Sequence, residues 1–163
     1  MSCPRIEVDL CKIRHNTQLL VKRLGLRGVG VTGVTKAVCG HPGIAQAMLD
    51  GGATALADSR ISNVQRLRST GLTGPIRLIR TPMLSQADEV VQSCEASYNT
   101  EILVISALAA AAIRNGSIHG IILMVEMGDR ATEYFLRNWL KLRSRSGRCP
   151  GSRCRGSVLT LRV

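Results

Sequence analysis

With 163 residues, 45% of them hydrophobic, the chain is long enough to bury one domain core and is not composed like a disordered protein. The first residues hold no apolar run, and the most hydrophobic stretch, Ile102 to Ile113, is cut by Arg114 and Asn115 before it could span a bilayer, so a cytoplasmic protein with no membrane partner is expected. The formal charge of +11 is concentrated: residues 131–163 carry 8 Lys/Arg against 1 Asp/Glu, in no RNA- or DNA-binding pattern, which argues against a nucleic-acid partner and marks a boundary near residue 130.

Before that boundary, apolar runs alternate with helix-period segments. An amphipathic helix is predicted over Leu10 to Leu24, followed by a strand within Gly28 to Thr35 and a helix over Pro42 to Leu49. Strands then follow at Ala53 to Ala57, Ile76 to Ile79, Glu95 to Tyr98 and Gly120 to Met127, with helices at Ile61 to Leu67, Ser85 to Val91 and Glu101 to Ile113 between them. A strand and a helix repeating every 20 to 25 residues make a βα unit. Near-continuous apolar runs are those of parallel strands covered by helices.

Polar residues recur where each run ends. Lys36 follows the first, Asp58, Ser59 and Arg60 the second, Arg80 the third, Asn99 the fourth and Asp129 the fifth. Each alone would also suit a helix cap or a solvated loop. Together they match the way a (β/α) barrel builds its active face at the C-terminal ends of its strands, so the expected fold is α/β, a partial TIM-type barrel of about five βα units. A doubly wound sheet is the alternative. Lys36 ends the most strand-like segment, and shelter in a barrel mouth would favour the neutral amine that condenses with an aldehyde. The six cysteines (Cys3, Cys11, Cys39, Cys94, Cys149 and Cys154) form no C-x-x-C pair, so reduced thiols and no metal site are expected. Cys39 reads as a small core-facing residue, and His41, just before Pro42 at a helix start, as structural.

A resemblance to a known family rests on Pro4-Arg5-Ile6-Glu7-Val8-Asp9-Leu10, His15-Asn16, Val34-Thr35-Lys36, Gly40-His41-Pro42, Asp58-Ser59-Arg60-Ile61 and Arg80-Thr81-Pro82-Met83. Tyr98-Asn99-Thr100-Glu101 and Ile121 to Glu126 continue the order. Over residues 4 to about 130 the chain resembles the alanine racemase N-terminal domain family, in its ornithine-racemase-like branch. The resemblance implies a pyridoxal 5'-phosphate-dependent amino-acid racemase, a small amino-acid substrate and, for a full-length chain, a homodimer. It makes Lys36 the Schiff-base lysine and one catalytic base for α-proton removal and return. Asp58, Ser59, Arg60, Arg80 and Asn99 are the further cofactor-binding candidates. The opposite-face base and the phosphate-binding loops belong to later parts of the family's chain. Ala37-Val38-Cys39-Gly40-His41 is shorter than the segment after the lysine in alanine racemases and lacks its tyrosine, so alanine is not the first substrate expected. The alternatives are another enzyme or a non-catalytic carrier on the same cofactor-binding barrel, or a truncated, non-functional piece of one.

Arg143 to Arg148 and Arg153 to Arg162 show neither helix nor strand periodicity, and residues 131–163 are expected to hold no packed structure. Ala131 stands where the resemblance implies an arginine. If each codon is taken as the third base of one printed codon plus the first two of the next, the segment read from Thr132 onward permits Asp-Gly-Val-Leu-Pro-Ala-Glu-Leu-Ala-Glu-Ala, a family-like loop and helix. A one-base deletion near codon 131 is therefore the expected origin of this tail.

Overall fold

The structure, a computed structural model, describes residues 5–124 and the strands Arg153–Arg155 and Val158–Arg162. Helix α1 (Leu10–Gly25) starts where the Asp9 carboxylate accepts the Lys12 amide at 3.1 Å, and it ends with Lys22 and Arg23 in the turn where helix carbonyls favour cations. Four βα units and a fifth strand follow: β1 (Thr32–Val34), α2 (Pro42–Asp50), β2 (Ala55–Asp58), α3 (Ile61–Ser69), β3 (Ile76–Leu78), α4 (Ala87–Ser93), β4 (Ala96–Asn99), α5 (Ile102–Arg114) and β5 (Gly120–Met124). The first five strands pair in parallel in chain order, each joined to the next by a helical crossover. β7 (Val158–Arg162) then pairs antiparallel with β5, and β6 (Arg153–Arg155) with β7. Among the described residues no strand pairs with the free edge of β1, so the sheet is a partial α/β barrel.

Residues that lie opposite each other across the ladders share a face of the sheet. Leu56, Ile76, Leu78, Ile121 and Leu123 pack outward against Val64, Leu67, Val90 and Leu108 of the helices, forming the core. Each such fully buried aliphatic side chain is worth about 1.5–3 kcal/mol. Registered with them on the outward face are Asp58, opposite Leu78; Ser97, opposite Leu78 and Ile121; and Asn99, opposite Leu123. Val34, Ala57, Arg77, Ala96 and Gly120 form a row on the inner face. Gly33 lies on the outward face, where an added Cβ would come 2.8 Å from the Met48 sulfur and 3.2 Å from Leu56, so its missing side chain lets α2 lie close on β1.

Three elements differ from the expectation, and the end of a fourth lies outside the described residues. The first strand begins only at Thr32, because Gly28 at φ +69° closes a turn after α1. The helix expected from Ser85 is a 3-10 turn over Leu84–Gln86 that passes into α4. The fifth strand is described as far as Met124, so Val125 to Met127 and Asp129 lie outside the described residues. Segment 153–162 carries two strands where none was expected; β5 offers a row of unpaired backbone groups that an antiparallel strand satisfies. No helix among the described residues is long and apolar enough to cross a membrane.

Candidate active site

The C-terminal ends of β1 and β2 meet in a buried polar cluster. The Thr35 amide donates to the Ala57 carbonyl at 2.9 Å, continuing the β1–β2 ladder past Val34. Its hydroxyl donates to the Asp58 carboxylate at 2.7 Å. The same carboxylate accepts the Arg60 amide at 3.0 Å and the Asn63 side-chain amide at 2.9 Å. Thr35 and Asp58 are both fully buried.

Lys36 opens a 3-10 turn, Lys36–Val38, immediately after Thr35, and its side chain is exposed. The half-sheltered position expected for it is not provided by the described residues, because the sheet does not close around its inner face. Past the turn, Cys39 holds φ +51° and Gly40 φ +63°, and His41 leads into α2 with Pro42 at its first position. Cys39 is exposed rather than core-facing, and its carbonyl accepts Arg66 Nη1 at 3.0 Å. His41 is exposed and makes no capping bond, although it stands at the N-cap of α2.

Beside this turn, between the ends of β2 and β3 and the start of α3, lies a cleft of about 340 Å³. Ser59, Arg60, Ser62, Arg80, Thr81 and Gln86 supply its polar lining, and Leu78 is among its apolar residues. Arg60 and Arg80 are exposed, and among the described residues neither makes an ion pair. Lys36 is not one of the lining residues; it sits one strand over, at the end of β1. Thr81 and Thr100 bridge the β3 and β4 ends through their hydroxyls at 3.1 Å.

The sequence candidates therefore divide. Ser59, Arg60 and Arg80 come together in the cleft, while Lys36 stands one strand over, at the end of β1. Asp58 and Asn99 lie behind the sheet on the helix side, fully buried, because the two-residue pleat turns them away from the inner row. Asn99 donates to the Ser97 carbonyl at 2.8 Å and to its hydroxyl at 3.0 Å, while its own Oδ1 has no partner among the described residues. Ser97 in turn bonds His119 Nε2 at 2.8 Å. The Cys94 carbonyl can only accept, so in the neutral ring His119 Nδ1–H donates to it at 3.2 Å and Nε2 accepts from the Ser97 hydroxyl. Burial pushes the His119 pKa down, against the opposing pull of that carbonyl. Sequence reasoning singled out neither Asn63 nor the Ser97–His119 pair; apart from an unusual density of polar residues within apolar segments, nothing in the sequence marks them.

A model of the family "Alanine racemase, N-terminal domain" matches residues 8–157. This chain belongs to that family. An ornithine racemase from Acetoanaerobium sticklandii is 31% identical over 85% of the chain, and a lysine racemase from Thermotoga maritima is 37% identical over 56%. The chain spans only 38% and 26% of the lengths of these relatives. Its fold is that of alanine racemase from Streptomyces coelicolor (TM-score 0.74, 19% identity, covering 84% of the chain and 37% of that structure). It is shared with a D-threonine aldolase from Filomicrobium marinum (TM-score 0.72, 16% identity, 88% of the chain and 40% of that structure).

Proposed function

We propose that this chain is the lysine-bearing part of a pyridoxal 5'-phosphate-dependent amino-acid racemase. The observation that carries the reading is Lys36, presented at the C-terminal end of β1 directly after a buried, four-way-bonded Thr35, in a member of the alanine racemase N-terminal domain family. The donor set fits the cofactor chemically: Lys36 offers a primary amine for its aldehyde, and Ser59, Arg60 and Arg80 offer hydroxyl and guanidinium donors for anionic groups. Bound there, the cofactor would supply the electron sink for removal of an α-proton. Lys36 Nζ, held beside the substrate α-carbon, would take that proton on one face or return it. Arg60 and Arg80 would hold a carboxylate or a phenolic oxygen at the rim. Asp58 and Asn99 act from behind the sheet rather than by touching either ligand.

Ornithine, lysine and alanine are the substrates named for the relatives. A basic amino acid is the reading favoured here, because the ornithine racemase match spans the larger share of the chain and the turn after Lys36 lacks the alanine-type segment. The test is chemical. The chain is incubated with pyridoxal 5'-phosphate, reduced with borohydride and digested, and the modified lysines are identified by mass spectrometry. Lys36 should be labelled well ahead of Lys12, Lys22 and Lys141, and Lys36→Ala should remove the fast-labelled peptide. Equal labelling of all four lysines would overturn the assignment.

A further inference from the structure

Lys36 is exposed and makes no side-chain hydrogen bond or ion pair among the described residues, so no described residue fixes its side chain in one place. The residues on either side of its turn are held unusually firmly. At the start, the Thr35 hydroxyl reaches the Asp58 carboxylate at 2.7 Å and the Ala57 carbonyl at 3.2 Å, and the Thr35 carbonyl accepts the amides of Val38 at 3.0 Å and Gly40 at 3.1 Å. At the end, Gly40 lies so close to Asn63 that a Cβ there would come within 2.8 Å of the Asn63 Cβ and 3.0 Å of its carbonyl oxygen. Asn63 closes the circuit by donating to Asp58 at 2.9 Å.

Placing a carboxylate at 0% exposure is costly unless its oxygens are satisfied. Here three donors from three segments satisfy it: the residue before Lys36, the residue before α3, and α3 itself. Bonds to an ionised acceptor are about twice as strong as neutral ones. The start of the Lys36 turn bonds that carboxylate directly, and its end packs on Asn63, which bonds the carboxylate in turn.

We propose that the Thr35–Asp58–Asn63 cluster is the positioning device for Lys36, fixing the turn from which its amine reaches the cofactor. This rests on the reading of Lys36 as the cofactor lysine. None of the three residues touches substrate or cofactor; they act through the backbone of residues 35–40. Displacing a reacting group by about an ångström can cost on the order of a hundredfold in rate, so loss of one of these bonds should slow capture at Lys36 by about tenfold.

The experiment measures the rate of borohydride-trapped pyridoxal 5'-phosphate at Lys36 relative to Lys12 on α1, which serves as an internal standard. Thr35→Val keeps the shape and removes the hydroxyl; Thr35→Ser keeps the hydroxyl. The proposal expects the Lys36/Lys12 ratio to fall about tenfold in Thr35→Val and to stay within about twofold of wild type in Thr35→Ser. Hydrogen exchange of the Val38 and Gly40 amides should accelerate in Thr35→Val alone. If wild type favours Lys36 and Thr35→Val keeps the same ratio, the positioning role is overturned while the cofactor lysine stands. A wild-type chain with no preference for Lys36 overturns both. Should Thr35→Val fail to fold, Asp58→Asn decides by the same two readouts, and an unchanged ratio there overturns the proposal equally.

Discussion

Replacing Gly40 with alanine should be among the most damaging single-methyl changes available in this chain. Two costs add. At φ +63° an L side chain is disfavoured by about 1–2 kcal/mol. The new Cβ would also stand 2.8 Å from the Asn63 Cβ, 3.0 Å from its carbonyl oxygen and 3.2 Å from its Cα, contacts that are largely backbone and relax poorly, at a cost of about 1–3 kcal/mol. Stiffening of the unfolded chain returns about 0.4–1 kcal/mol. The net loss is about 1–4.6 kcal/mol, which at a urea slope of about 2 kcal/mol per molar lowers the midpoint by about 0.5–2.3 M. Gly71→Ala is the control: φ there is +78°, yet nothing lies within 4 Å of the added carbon, so only the conformational cost applies. Urea unfolding followed by circular dichroism compares the two. Equal losses would show that Gly40 does not press on Asn63, and the coupling between the Lys36 turn and α3 would have to be abandoned.

His119 predicts a pH dependence. Its pKa is held below the ordinary value of 6.5 by burial, so on acidification the unfolded chain takes the proton first; its contribution is fully present above about pH 6.5 and is lost as pH falls through the depressed folded value. His119→Gln should flatten the urea midpoint of unfolding between pH 7.5 and pH 5, and a variant curve parallel to wild type would refute this. The cysteines should differ sharply in reactivity: Cys11 and Cys39 are exposed, whereas Cys94 is buried, with its thiol pushed up to about 12 mainly by that burial. Iodoacetamide followed by peptide mass mapping should find Cys94 unmodified until the chain unfolds; modification of Cys94 in step with Cys11 in the folded state would contradict its burial. For residues 131–163, inserting one base near codon 131 should open a longer, family-like reading frame. Early stop codons in that frame would return the basic tail to being a true part of the protein.

The βα alternation was legible in the chain because parallel strands covered on one side must be apolar and the helices over them amphipathic, and both patterns are local. Lys36 was legible for the same reason, as a cation ending the most strand-like run and set in the Val34-Thr35-Lys36 motif. Face and depth were not legible. Asp58 and Ser59 are adjacent in sequence, yet the pleat sends Asp58 behind the sheet into the bonds with Thr35 and Asn63 and leaves Ser59 lining the cleft with Arg60 and Arg80. Asn99 likewise read as a strand-end polar group, and His119 was not singled out, until register brought Ser97 between them. The strands at Arg153–Arg155 and Val158–Arg162 follow from the open edge of β5, a demand created only once β5 is in place. Local composition therefore determined which segments are strands and helices and where the lysine stands. Only the tertiary structure decided which polar groups face the site and which hold it from behind, because hydrogen-bond partners more than twenty residues apart are chosen by strand register.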